Sequence, residues 1–180
     1  MKPSAKNLVI STIISIAAIA AIGYTSCKKN SCSAKVCANG GVCNSGSCTC
    51  TAGYYGTTCD SLYKNRFVGT WTVTETGSET GLATYSSTIS SGSAPTAVYI
   101  GNLNNFFSGT IMGYVTGDSL FIPSQSYKGK TVIGVGYISP NGSYALDDYM
   151  IVQYEVIDSA TQTVNNYGCD NAANPSQWSR

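Results

Sequence analysis

Residues 67–74 are Phe-Val-Gly-Thr-Trp-Thr-Val-Thr, a stretch in which large side chains alternate with small polar ones. Alternation at period two predicts a β-strand with one buried face, because successive side chains point to opposite faces of a sheet. From Arg66 onward the composition shifts to Ser, Thr, Tyr, Val and Ile, with Gly and Asn between the runs. The stretch therefore predicts the first strand of a β domain at residues 66–180.

Further strand-like runs follow this first one, and few windows carry a helical period. The runs lie at residues 84–89, 97–103, 109–115, 119–122, 131–138, 143–157 and 161–167. Gly117-Asp118 and Asn141-Gly142 suit two-residue hairpin turns. The fold class predicted is mainly β, with about 7–8 antiparallel strands forming a barrel or a sandwich.

Gly69-Thr70-Trp71 resembles the G-x-W motif of lipocalins, in which the tryptophan plugs the closed end of the barrel. In that family an arginine from a late strand packs over the tryptophan. We expect no counterpart here, because the only arginines are Arg66 and the chain-end Arg180. The wider pattern FVGTW…GTI…GDSLFIPSQ…G resembles lipocalin-like β domains that follow lipoprotein signals in Bacteroidetes. This resemblance implies a barrel more than it implies an activity.

Six of the 8 cysteines lie between Cys32 and Cys59, a segment too short to bury a stabilising core. If the chain is exported, as its N-terminal segment predicts below, such density predicts a disulfide framework, in which each bridge contributes about 2–4 kcal/mol. Spacing alone does not choose among the pairings that six cysteines allow. A structural zinc site is the alternative, which the lack of any C-x-x-C pair disfavours.

The cysteine spacing C-x4-C-x5-C-x4-C-x-C-x8-C resembles that of an EGF-like domain. Residues 37–43, CANGGVC, match the family's NGG-x-C turn, and residues 50–59, CTAGYYGTTC, match its ending. The resemblance implies the bridges Cys32–Cys43, Cys37–Cys48 and Cys50–Cys59. Residues 28–31, Lys-Lys-Asn-Ser, stand where calcium-binding members carry acidic residues, so we expect no metal and no cofactor.

An apolar run at residues 8–22 follows Lys2 and Lys6. This arrangement predicts a helical secretory signal segment, since a membrane span needs about 20 apolar residues. Residues 23–27, Gly-Tyr-Thr-Ser-Cys, resemble the looser lipoboxes of Bacteroidetes lipoproteins. The resemblance implies that Cys27 carries acyl chains such as palmitate, which anchor the protein in the outer membrane. The alternatives are an ordinary cleaved signal or an uncleaved anchor, with Cys27 a plain thiol.

These features divide the chain into five parts. They are a lipoprotein signal peptide (1–26), a lipidated tether (27–31), an EGF-like domain (32–60), a linker (61–65) and the β domain (66–180). Cys169 is then left over, and we expect a buried or incidental thiol. A bond to Cys27 requires that Cys27 is not lipidated, and an intermolecular bridge is the other alternative.

Three tripeptides share the form Asp-Ser-aliphatic: Asp60-Ser61-Leu62, Asp118-Ser119-Leu120 and Asp158-Ser159-Ala160. They resemble the O-glycosylation sequon of exported Bacteroidetes proteins, which implies sugars on Ser61, Ser119 and Ser159. The alternative is simple turn chemistry, because Asp and Ser both favour turns.

Composition excludes several classes of function. The chain has no histidine, so a Ser-His-Asp site, a Cys-His site and histidine-zinc chemistry are impossible. The net charge is +1, which supplies no basic stripe for nucleic acid. We therefore expect a non-enzymatic lipoprotein of the cell envelope, periplasmic or surface-facing.

Its expected function is binding or adhesion, to a glycan, a protein or a small lipophilic ligand. Tyr54 and Tyr55, expected to be exposed, are candidate contacts in the EGF-like domain. The many tyrosines of the β domain could line a sugar-binding or amphipathic pocket, or could simply be half-buried strand residues. The alternative function is a lipocalin-like carrier or sensor of a lipophile, which a cavity would favour. A barrel filled by Trp71, Phe67 and Ile side chains would favour a scaffold.

Overall fold

The computed structural model describes residues 31–138, 149–170 and 173–180, and this part of the chain is mainly β. A cysteine-rich module, residues 31–62, precedes an antiparallel barrel. The predicted fold class is confirmed, and the closed barrel is the form it takes. The signal segment, Cys27 and the Asn141-Gly142 turn lie outside the described residues.

Disulfides hold the cysteine-rich module together. The bridges are Cys32–Cys43, Cys37–Cys48 and Cys50–Cys59, the same three pairs that the EGF-like resemblance implies. Within residues 31–60 only Cys59 is buried, so an apolar core contributes little and the bridges must supply most of the stability. Its strands are β1 (Val42–Asn44), β2 (Ser47–Thr49), β3 (Tyr54–Tyr55) and β4 (Ser61–Leu62).

Residues 61–65, predicted as a linker, form a structured junction. β4 pairs with β3, and the 3-10 helix Tyr63–Arg66 follows directly. Lys64 of this helix is buried, and its Nζ donates to the carbonyl oxygens of Gly92 and Ala94 at 2.7 and 2.9 Å. These bonds satisfy a buried ammonium and attach the end of the module to one loop of the barrel.

Eight antiparallel strands close the barrel, because β10 pairs with both β9 and β11. The strands after the junction are β5 (Gly69–Thr76), β6 (Leu82–Ser91), β7 (Ala97–Leu103), β8 (Phe107–Thr116), β9 (Ser119–Tyr127), β10 (Lys130–Ile138), β11 (Tyr149–Asp158), β12 (Val164–Tyr167) and β13 (Ser176–Ser179). Both β12 and β13 pair with β11, and β13 also pairs with β5. They form two pieces of one strand, separated by residues 168–175.

The predicted strands match the observed ones in position, and most of them, though not the strand at 97–103, differ at their ends. Gly117-Asp118 forms the predicted turn between β8 and β9. β9 continues to Tyr127 instead of ending at Ile122. β13 was not predicted, because four residues are too few to show a periodic pattern and its ladders with β5 and β11 stabilise it.

One end of the barrel is closed by Trp71 and Phe67, which are both fully buried. The indole Nε1 of Trp71 donates to the carbonyl oxygen of Phe67 at 2.8 Å. The Arg180 guanidinium lies 4.4 Å from the centre of the Trp71 ring, and it donates to the carbonyl oxygens of Val68 and Arg66. The expectation that the family's arginine has no counterpart is therefore wrong. Arg180 takes that place because β13, which precedes it, belongs to the barrel.

Candidate functional site

The other end of the barrel, here called the open end, holds a cavity of about 170 Å³. The loops between β5 and β6, β7 and β8, β9 and β10, and β11 and β12 all lie at this end. The cysteine-rich module joins the opposite end, where Lys64 of the following 3-10 helix bonds the loop that carries Gly92 and Ala94. The cavity is lined by Glu79, Thr80, Asn104, Lys130, Val156, Asp158, Thr163 and Asn165.

Beneath the cavity lies a buried carboxylate, Glu75, which is 4% exposed. It accepts hydrogen bonds from the hydroxyls of Tyr85, Tyr154 and Ser176 at 2.8, 2.7 and 2.6 Å, and from Nδ2 of Asn104 at 3.2 Å. Four donors satisfy both oxygens, which removes the penalty that an unsolvated buried carboxylate would carry. We call these five residues the Glu75 network.

Strand alternation places this network inside the barrel. Trp71, Val73 and Glu75 of β5 occupy alternate positions and all are buried, so they share the interior face. Asn104 lies in the turn between β7 and β8, where its φ is 56°. Asparagine tolerates this left-handed conformation better than most residues, which lets the turn direct the amide inward.

The tyrosine hydroxyls of the Glu75 network remain protonated donors. Burial raises the pKa of Tyr154 well above its usual 10.0, and the charges of Tyr85 and Glu75 act in the same direction. Burial, followed by the Glu75 charge, also raises the pKa of Tyr85. Both shifts have one cause, because a tyrosinate would be desolvated and would face an existing anion.

A second layer of hydrogen bonds forms the floor of the cavity. Asn104 Nδ2 also approaches the hydroxyls of Tyr154 and Tyr167, at 3.0 and 2.7 Å. Nδ2 of Asn165 donates to the Tyr167 hydroxyl at 2.8 Å and to Oγ1 of Thr80 at 3.1 Å. The rings of Tyr154 and Tyr167 stack with centroids 4.3 Å apart. These contacts make the floor rigid and polar.

Charged side chains surround the mouth of the cavity. Lys130 begins β10, and its Nζ lies 4.7 Å from the centre of the Phe106 ring. Asp158 ends β11 and accepts hydrogen bonds from the backbone N–H groups of Ala160 and Thr161, at 2.9 and 3.2 Å. These bonds, with the Lys130 charge, lower the pKa of Asp158. The mouth therefore carries fixed charges of both signs.

The rest of the barrel interior is filled by apolar side chains. Trp71, Phe107, Leu120 and Met150 are each 0% exposed and belong to one continuous core. Val156 is the one apolar side chain among the lining residues of the cavity. A lipophile would find little apolar surface there, so the lining does not favour the lipophile carrier.

The structure separates the predicted contact and glycosylation residues from the cavity, with one exception. Tyr54 and Tyr55, expected to be exposed, are half-buried because they form β3, and Tyr55 stacks on Tyr63 at 4.5 Å. Ser61 and Ser119 are half-buried as well. Ser159 is exposed and directly follows Asp158 of the cavity mouth.

Cys169 is exposed and has no disulfide partner in the described part of the chain, so of the expected buried or incidental thiol only the incidental one remains, and a bond to Cys27 lies outside the described residues. It lies in the 168–175 segment that interrupts the eighth strand. Partial burial, followed by the charges of Glu155 and Asp170, raises its thiol pKa. A raised pKa lowers the thiolate fraction and so lowers the reactivity of the thiol.

Sequence reasoning missed the Glu75 network. A usable signal exists in β5, because Glu75 stands two places after Val73 and four after Trp71, at inward positions of the alternation. An acidic residue at such a position must find buried donors. The partners themselves come from strands 10 to 101 residues away in the sequence, which no local pattern could indicate.

No protein-family model and no curated protein matches the chain. Among the residues that the structure describes, no helix is long and apolar enough to cross a membrane.

Proposed function

We propose that this protein is a Bacteroidetes-type lipoprotein of the outer membrane, whose barrel binds a small polar ligand at its open end. In this proposal it is not an enzyme, and an EGF-like module at residues 32–60 separates the barrel from the lipidated Cys27. The observation that carries the proposal is the polar cavity over the Glu75 network, at the end of a rigid barrel.

The arrangement of the two parts supports this display role. The module is attached at the closed end, next to Gly92 and Ala94, and the cavity lies at the open end. A lipid on Cys27 would hold the module near the bilayer, and the cavity mouth would then face away from it. The three disulfides favour an oxidising compartment, which agrees with export.

The intact mass of the membrane-extracted protein tests the anchor. We expect cleavage before Cys27, acyl mass on its sulfur and amine, and six hydrogens lost to the three bridges. Hexose mass, if glycosylation occurs, should map first to the exposed Ser159. Cys27→Ala should abolish the acyl mass. An unprocessed full-length chain would contradict the proposed localisation.

Ligand screening by NMR tests the binding role. Pools of small polar metabolites should shift the backbone amides of open-end residues such as Asn104 and Thr163, and should leave the closed-end amides of Trp71 and Val68 unchanged. A fluorescent lipophile probe is the comparison, and we expect no binding within the barrel. Tight uptake of that probe inside the barrel would instead establish the lipophile carrier.

A further inference from the structure

We propose that the ligand of the open-end cavity is a small zwitterion that carries both an ammonium and a carboxylate group, such as a free amino acid. This inference rests on the proposed binding function and names its ligand class. The reason is that some donors and acceptors of the lining are not used by the hydrogen bonds of the floor and are therefore available to a ligand.

The first unused group is an acceptor, the side-chain oxygen of Asn104. The Glu75 carboxylate, 3.2 Å from Nδ2, can only accept a hydrogen bond, so the amide nitrogen faces the network. Oδ1 then points away from Glu75, on a residue that lines the cavity. The Glu75 charge thus orients the Asn104 side-chain amide so that its oxygen faces a ligand in the cavity.

The second unused group is a donor, the hydroxyl of Thr80. The Tyr167 hydroxyl accepts from Asn104 and Asn165, so its own proton is directed to Thr80 Oγ1 at 3.2 Å. Thr80 Oγ1 also accepts from Asn165 at 3.1 Å. The Thr80 proton is therefore free to be donated into the cavity that this residue lines.

The charges of the lining form no direct salt bridge within the described structure, although the Lys130 charge acts on Asp158 across the mouth. Lys130 contacts the Phe106 ring, and no carboxylate lies within salt-bridge distance of its Nζ in the described residues. The Glu79 carboxylate likewise has no described hydrogen-bond donor, and Asp158 uses one oxygen for the backbone of its turn. A ligand that enters displaces water from both kinds of charge, which favours a ligand carrying both complementary charges.

These groups form two sets with opposite preferences. Acceptors from Asn104, Glu79 and Asp158 suit an ammonium, whereas donors from Lys130 and Thr80 suit a carboxylate. An anion alone would meet two carboxylates, and a cation alone would meet the Lys130 ammonium. The cavity volume of about 170 Å³ leaves room for a ligand the size of a small amino acid.

Titration calorimetry with the purified protein tests the ligand class, using a zwitterion and its two halves. The probes are L-norvaline and L-serine as zwitterions, butylamine without the carboxylate, pentanoate without the ammonium, and glucose as a neutral polar comparison. We expect at least one zwitterion to bind about ten-fold more tightly than either half, a difference of roughly 1.4 kcal/mol.

Two substitutions assign the charges. Lys130→Met should weaken zwitterion binding about ten-fold and should not weaken butylamine binding, because butylamine has no carboxylate for Lys130 and is repelled by its ammonium. Glu79→Gln should weaken zwitterion binding and should not weaken pentanoate binding, because pentanoate is repelled by the Glu79 carboxylate. Lys128→Met is the matched control, because Lys128 lies over the Tyr127 ring and is not a lining residue.

The outcomes separate the ligand class from the proposed function. If glucose binds at the open end and the zwitterions do not, the ligand class is wrong and the binding function stands. Equal binding of butylamine and the zwitterions would also overturn the ligand class. If no probe and no polar metabolite shifts the open-end amides, both proposals fail together.

Discussion

At the scale of single residues, Glu75 is the side chain on which the candidate site depends. A carboxylate that is 4% exposed is tolerated because three hydroxyls and one amide converge on it. The same bonds orient Asn104, whose amide would otherwise be free to turn. One buried charge thus stabilises the barrel interior and also sets the polarity of the cavity floor.

Replacing Glu75 should therefore destabilise the protein strongly. Glu75→Ala leaves the hydroxyls of Tyr85, Tyr154 and Ser176 without their acceptor, and we expect a loss of about 3 kcal/mol in the free energy of unfolding. Urea titration measures it. Glu79→Gln, at an exposed position, is the control and should leave stability unchanged. An equally small effect of both substitutions would show that the Glu75 network contributes little to the free energy of unfolding.

Tyr154, which is buried, and Tyr85, which is half-buried, predict a loss of stability at alkaline pH. Their pKa values are raised in the folded protein, so their contribution is fully present below pH 10.0, the usual tyrosine value. Above it the unfolded chain loses protons that the folded barrel keeps. The free energy of unfolding should then fall by up to about 1.4 kcal/mol per pH unit for each hydroxyl.

Urea titrations at increasing pH measure this slope. Tyr154→Phe should reduce the slope of unfolding free energy against pH by the contribution of one hydroxyl, because one titrating group is removed. Tyr127→Phe is the control, since a hydrogen bond with Ser108 lowers the pKa of Tyr127 instead of raising it. Equal slopes in the wild type and in Tyr154→Phe would argue against the buried hydroxyl as the cause.

At the scale of elements, β8 and β9 show how a side chain can replace backbone pairing. The two strands pair only from Tyr114 to Thr116 on β8. Beyond that point Gln125 accepts from the N–H of Met112 and donates to its carbonyl oxygen, both at 2.8 Å. The side-chain amide thus satisfies the Met112 backbone groups that a neighbouring strand would otherwise bond.

Gln125→Ala should open this part of the barrel wall. The Met112 N–H then loses its acceptor, and we expect its hydrogen exchange to accelerate and stability to fall by about 1 kcal/mol. Amide exchange followed by NMR measures it residue by residue. Ser126→Ala is the neighbouring control, because among the described residues the Ser126 hydroxyl bonds only Thr131. Unchanged exchange at Met112 would show that water satisfies the gap equally well.

Elements also show the limits of prediction from sequence. The predicted strand at 97–103 has the observed bounds. Turn residues stand on both sides of Ala97–Leu103, and the run itself is rich in apolar side chains. β13 was not predicted, and with it the role of Arg180 was missed. A short strand exists because its neighbours supply both ladders, which is a tertiary effect.

At the scale of the whole molecule, two parts are stabilised in different ways. The cysteine-rich module has one buried residue between positions 31 and 60, whereas the barrel has a continuous apolar core that includes Trp71, Trp178 and Phe107. Covalent bridges must therefore hold the first part, and hydrophobic burial holds the second.

Reduction of the disulfides should unfold the module and spare the barrel. Each bridge closes a short loop, and its loss costs about 2–4 kcal/mol, which the module cannot offset by burial. Hydrogen exchange measured by mass spectrometry should show rapid exchange over residues 31–60 and continued protection of β5 to β11. Untreated protein is the control. Protection of both parts after complete reduction would mean that the module has another source of stability.

The amino-acid sequence alone predicts the β fold class and most strand positions, which follow from alternation and turn residues, both local properties of the chain. The disulfide pairs come from the EGF-like resemblance, because cysteine spacing alone leaves the pairing open. Tertiary contacts are needed to show that β12 and β13 share one place in the barrel, that Arg180 covers Trp71, and that Glu75 gathers its donors. Each of these depends on residues far apart in the chain, and barrel closure brings them within hydrogen-bonding or ring-contact distance.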